Sequence, residues 1–97
     1  MKKYEITFIV RPDIDEASAK AVCESMKNVL VSKNAKVLEE QEWGQKELAY
    51  EIKKYKNGYY FYFLVESENA NATSEFDRVA LINENIIRHL VFLKESE

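Results

Sequence analysis

The stretch from residue 43 to residue 65 constrains the fold of this chain most. Leu48, Tyr50 and Ile52 alternate with small or charged residues, the period of two expected of a half-covered strand. Residues 59–65 form an unbroken aromatic and branched run, as expected of a central strand. Between them Asn57-Gly58 supplies residues that tolerate positive φ, so the two runs are expected to close there as a hairpin. Lys53, Lys54 and Lys56 then read as a solvated hairpin tip that discourages aggregation of an edge.

The remaining segments can be placed against this hairpin. Tyr4, Ile6, Phe8 and Val10 share one parity, which predicts a strand over residues 3–10 that Arg11-Pro12-Asp13 ends. Asp15 stands where a helix N-cap belongs, with Asp13 and Glu16 as an alternative capping box one turn earlier. Ala19, Val22, Met26, Val29 and Leu30 follow at helical spacing, predicting a helix over about 16–32, and Asn34 can take the left-handed conformation that ends it. Residues 36–53 read as a second strand. Val37 and Trp43 differ in parity from Leu48, Tyr50 and Ile52, so a bulge is required, and Gly44 is its natural place. The hairpin returns over residues 58–67. A short helix is predicted over roughly 70–81, with Asn69 or Asn71 as candidate caps. After a turn at Asn83-Glu84-Asn85, residues 86–94 form the last strand.

The order β-α-β-β-α-β with right-handed crossovers predicts a ferredoxin-like sandwich in one domain over residues 1–97. This is an α+β fold: a four-stranded antiparallel sheet with its first and third segments central and two helices on one face. The other face is open. Only one of the rows Tyr59-Phe61-Phe63-Val65 and Tyr60-Tyr62-Leu64 can meet the helices, yet both are apolar. The last strand repeats the problem with Leu90 and Phe92 against Val91 and Leu93. A monomer does not usually display such a patch, so a partner is expected to cover it.

Composition narrows what that partner is. The 97 residues are 46% apolar and 32% charged, enough for one core and too polar for an integral membrane protein. No secretion signal is evident at the N-terminus, and one cysteine, Cys23, suits a reducing cytoplasm. A net charge of −3 argues against a generic polyanion binder. The cations are segregated, however: Lys2 and Lys3 open the chain and Arg88, His89 and Lys94 lie near its end, which permits one basic face. His89 lacks a second ligand at metal spacing and reads as a packed or surface residue. Two glycines cannot build a phosphate loop or a nucleophile elbow. No cofactor or small-molecule substrate is implied, and a binding module is expected rather than an enzyme.

An RNA-recognition motif has the same element order and stacks bases on its third strand. Residues 57–64 match its signature at Gly58, Tyr59 and Phe61, but Asn57 lacks the charge and Tyr60 stands where Gly or Ala belongs. Single-stranded RNA stacking is therefore the alternative reading. A ferredoxin-like domain that senses a small molecule or buries its open sheet by self-association is another.

A closer likeness lies in Trp43-Gly44, Leu48-Ala49-Tyr50, Ile52, Lys54 and Gly58-Tyr59. With Lys3-Tyr4-Glu5, Arg11-Pro12-Asp13 and Asn85-Ile86-Ile87-Arg88, these residues resemble the bacterial small-ribosomal-subunit protein S6 family over essentially the whole chain. Glu51 departs from the proline usual in that family, Asn34 from a common glycine, and the acidic tail of some members is reduced to Glu95-Ser96-Glu97. The resemblance implies a structural ribosomal protein, cytoplasmic and ribosome-associated. It also implies binding to the central domain of 16S ribosomal RNA together with ribosomal protein S18. A basic protein partner would account for the acidity of this chain. Lys2, Lys3, Arg88 and Lys94 are the candidate RNA-backbone contacts, expected to form one patch because the first and last strands are neighbours. Tyr4 is a further candidate beside them, although its parity with Ile6 equally suits the edge of the core. Trp43, Leu48, Tyr50, Tyr60 and Tyr62 are the candidate protein-partner contacts.

Overall fold

The structure is a computed structural model that describes residues 2–68 and 70–94. Its elements run β1 (Lys2–Val10), α1 (Glu16–Ser32), β2 (Lys36–Ile52), β3 (Tyr55–Ser67), α2 (Asn71–Ile82) and β4 (Ile86–Lys94). The four strands form one antiparallel sheet in the order β2-β3-β1-β4, so β3 and β1 are central as the crossover argument requires.

Parity decides what each strand buries. Tyr4, Ile6, Phe8 and Val10 of β1 and Phe61, Phe63 and Val65 of β3 face the helices. There they pack with Ala19, Val22, Cys23, Met26 and Leu30 of α1 and Ala72, Phe76 and Ala80 of α2. Phe8 is the hub, with Phe61, Phe63 and Phe76 at centroid distances of 5.3, 5.5 and 5.8 Å.

The first helix begins as its sequence suggests. The Asp15 side chain accepts from the Ser18 backbone N–H at 2.9 Å, and this interaction holds its carboxyl below the usual range. At the other end Asn34 takes φ +66°. The second helix has no side-chain cap bond at its N-cap position, Ala70; Asn71 is its first residue and Asn69 lies outside the described residues.

The hairpin corrects one expectation. Ile52 pairs with Tyr55, so the turn is Lys53-Lys54, at φ +50° and +71°, and Asn57-Gly58 lies inside β3 opposite Lys46 and Glu47. Two consecutive positive-φ residues match the twist of a two-residue hairpin even though lysine is not a favoured occupant. Gly58 serves a different need. A Cβ there would collide with Ile9 Cγ2 and approach the Val10 carbonyl oxygen at 2.9 Å.

β2 bulges at Trp43, next to Gly44 at φ +76°, at the expected place. It also slips between Val37 and Glu39, and between Glu47 and Ile52 it holds three residues more than the facing part of β3. That last excess carries Leu48 into a second small core with Ile9 and Ile87, where it is 8% exposed. Ile87 is itself the extra residue where β4 slips against β1.

Candidate functional site

The sheet face turned away from the helices can be read as rows across the strands, because residues paired directly share a face. One end row is Lys36, Glu66, Lys3 and Lys94; the next holds Glu39, Leu64, Glu5 and Phe92. Gln41, Tyr62, Thr7 and Leu90 follow, and then Gly44, Tyr60, Ile9 and Arg88. The middle of the face is thus aromatic and aliphatic, with lysines at one end and an arginine at the other.

Trp43 lies over this middle. Its ring is nearly parallel to those of Tyr62 (5.7 Å, 9°) and Tyr60 (6.4 Å, 21°). The indole Nε1–H donates to Gln41 Oε1 at 2.7 Å, and the Lys46 ammonium sits 5.6 Å from the ring centroid. Tyr62 donates its hydroxyl to Glu5 Oε2 at 2.9 Å. Burial and that carboxylate push its pKa up to about 12. The bulge explains the stack. Without an extra residue before Gly44, Trp43 could not project to the same side as Tyr60 and Tyr62.

Beside the stack the Leu48 excursion of β2 closes a concavity of about 290 Å³ lined by Thr7, Ile9, Leu48, Tyr50, Tyr60 and Arg88. Tyr50 is 79% exposed there, whereas Leu48 is buried within the chain. Of the five candidate partner contacts, Trp43, Tyr50, Tyr60 and Tyr62 remain accessible and come together. Leu48 supports the surface from below.

The candidate RNA contacts divide. Lys3 and Lys94 are directly opposed on the open face, with exposed Lys2 adjacent in sequence. Like charges placed so repel, although Glu66, opposite Lys3 on its other side, offsets part of that repulsion. Arg88 lies six residues from Lys94, roughly 20 Å along the strand. It therefore flanks the concavity and does not join the lysines, and the expected single patch is two cationic ends. Tyr4 is corrected more sharply. At 7% exposure, paired with Val65 and Leu93, it belongs to the main core and not to the cationic surface.

Two residues outside the candidate list belong to this face: Leu90 (40% exposed) and Phe92 (57%), between Arg88 and Lys94. Their signal was parity, since Arg88, Leu90, Phe92 and Lys94 alternate along one strand. His89 points the other way. It packs edge-on against Phe76 and makes a 2.6 Å contact from Nε2 to Asp77 Oδ1, tying β4 to α2.

Among the described residues no cluster of His, Cys, Asp and Glu could hold a metal ion. Cys23 is buried, and burial together with Glu40 raises its thiol pKa to about 12, leaving it protonated at neutral pH. Among the described residues no helix is long and apolar enough to cross a membrane.

Comparison with known proteins fits this geometry. The solved 30S ribosomal protein S6 of Thermotoga maritima superposes with a TM-score of 0.91 over 96% of this chain and 87% of that one, at 24% identity. That likeness shows the same fold. The sequence family is shown by residues 3–93, which match the family model described as ribosomal protein S6. From Lys3 to Leu93, then, the chain belongs to the ribosomal protein S6 family, structural components of the small ribosomal subunit.

Proposed function

We propose that this chain binds the central domain of 16S ribosomal RNA together with ribosomal protein S18. The observation that carries the reading is the open sheet face, an aromatic and aliphatic surface bounded by Lys3 and Lys94 at one end and Arg88 at the other. An apolar centre suits a protein partner, and cationic ends suit phosphates. A net charge of −3 leaves this chain with little general attraction for RNA, which favours binding as one half of a pair. In this reading Trp43, Tyr50, Tyr60 and Tyr62 meet the protein partner, Lys2, Lys3, Lys94 and Arg88 meet RNA backbone, and Leu48 supports the partner surface from below.

Base stacking in the manner of an RNA-recognition motif is disfavoured. The signature's aromatic positions, Tyr59 and Phe61, turn to the helix side, where Phe61 is 3% exposed and Tyr59 packs against the main core.

The test is retention of a labelled central-domain RNA fragment by this chain, by S18 and by both, across a salt titration. Tight retention is expected only with both proteins. Arg88→Glu should weaken it and lower the salt slope by about 1, one phosphate contact, without unfolding the domain. Equal retention by this chain alone, or none with the pair, overturns the proposal.

A further inference from the structure

The tip of the β2-β3 hairpin does not stand free in solvent. With the three extra residues of β2 behind it, Ile52 packs against Ile9 and Ile87 in the small core. Tyr55, paired with Ile52 across the turn, places its hydroxyl 3.4 Å from Asp13 Oδ2 and its ring centroid 5.7 Å from the Arg11 guanidinium. The turn residue Lys53 is thereby brought to the far side of the sheet. There it lines a groove of about 280 Å³ with Leu81 at the end of α2 and Ile87, Arg88 and His89 of β4. Arg11, Lys20, Lys27 and Arg78 are in ion pairs, whereas among the described residues neither Lys53 nor Arg88 is. None of the described residues lining the groove is acidic. Glu51 and Glu84, the acids nearest in sequence to the two cations, are not part of it, and His89 on its wall is held by Asp77.

We propose that Lys53 and Arg88 together hold one phosphate of the RNA backbone in this groove, so that RNA meets the β4 edge beside α2 and leaves the open face to the protein partner. The inference rests on the RNA reading above, to which it adds a contact and a direction of approach. Two cations lining one groove with no acid among them favour an anion between them. Phosphate suits the pair, since a planar guanidinium can take two of its oxygens while an ammonium meets a third as a point charge. Arg88 also borders the concavity on the open face, but it is the one charged residue among the described residues lining that concavity. Charge therefore sends a phosphate to the groove, and apolar surface sends a protein side chain to the concavity. The docked hairpin holds the Lys53 backbone in place before any ligand arrives, which lowers the ordering cost of binding.

The experiment measures retention of the labelled central-domain RNA fragment by the full chain with S18 across a salt titration, and pairing with S18 in the absence of RNA. Lys53→Asn removes the charge and keeps a residue that tolerates the φ of +50° at this position. It should weaken RNA retention about tenfold near 0.1 M salt and lower the salt slope by about 1, while pairing with S18 is unchanged. Lys54→Asn, the same change at the neighbouring turn residue outside the groove, should leave both readouts as they are. Combined with Arg88→Gln, Lys53→Asn should lose less than the product of the two single losses, as groups sharing one phosphate do. Undiminished retention with Lys53→Asn overturns this inference alone, as does an equal loss with Lys54→Asn, a strictly multiplicative double variant, or weakened pairing with S18. No retention by the unaltered pair overturns the RNA reading and this inference with it.

Discussion

The two faces of β3 are nearly alike in sequence and opposite in use. Phe61, Phe63 and Val65 are between 0 and 3% exposed beneath the helices, while Tyr60, Tyr62 and Leu64 on the other side are only half-buried. The inner row interlocks with β1 and both helices into one core. On the outer row Trp43, itself 41% exposed, lies over Tyr60 and Tyr62, and Tyr60 also packs against the small Leu48 core. The contrast teaches that an apolar run marks a strand as central without saying which side the chain fills for itself. The hydroxyls are a clue, since a tyrosine can keep its polar tip in water or on a surface acid such as Glu5 while a phenylalanine cannot.

The contrast is tested most severely by truncating neighbours on opposite faces. Phe63→Ala should lower stability by about 3–5 kcal/mol, read as a fall in the urea midpoint. Tyr62→Ala should lose under about 2 kcal/mol, the stack and one hydrogen bond. Similar losses at the two positions would show that the open face is a core in its own right.

The seam between the faces comes next. Gly58→Ala forces a methyl against Ile9 on the open side and the Val10 backbone, and should cost about 1–3 kcal/mol. Gly44→Ala meets no atom within 4 Å and should cost about 1 kcal/mol, from positive φ alone. If Gly58→Ala proves the milder of the two, the close packing of β3 on β1 is not what selects that glycine.

A smaller effect is expected from Trp43→Ala. It should lose about 0.5–1.5 kcal/mol in stability but sharply reduce joint retention of RNA with S18, because the ring belongs more to the surface than to the core. Unimpaired retention would remove Trp43 from the partner contacts.

The last expectation is a pH dependence. Tyr62 ionises later in the folded chain, near 12, than the ordinary tyrosine value of 10. Its contribution to stability is therefore full below about pH 10 and is lost as pH rises toward 12. In a spectrophotometric titration Tyr62→Phe should remove the late tyrosine and flatten that part of the stability curve. An unchanged curve would mean that Glu5 and burial do not hold the phenol neutral.

Much of this was legible because its causes are local. Asp15 caps α1 because a short carboxylate reaches the backbone three residues ahead, and Asn34 ends it because asparagine tolerates positive φ. The bulge at Trp43-Gly44 stands where Gly44 pointed, but Val37 and Trp43, expected on one face, lie on opposite faces because β2 also slips between Val37 and Glu39. The turn did not follow from its residues. Asn57-Gly58 has the better turn chemistry, yet a glycine retained for close approach is spelled the same as one retained for φ. The candidate site was half legible. Residue type and alternation pointed to the open face, but Arg88 proved to lie at the far end from Lys94, and Tyr4 turned inward with the parity of Ile6.

The sequence by itself determined the order of elements, the period of each and the sheet in which they are arranged. Alternation, helical spacing and crossover handedness are properties of one segment and its two ends. Tertiary structure alone decided which apolar row of β3 was buried, where the hairpin turned, and which distant cations became neighbours. Each of those depends on register between strands, and register belongs to a pair of segments, set by how well both sides pack at once.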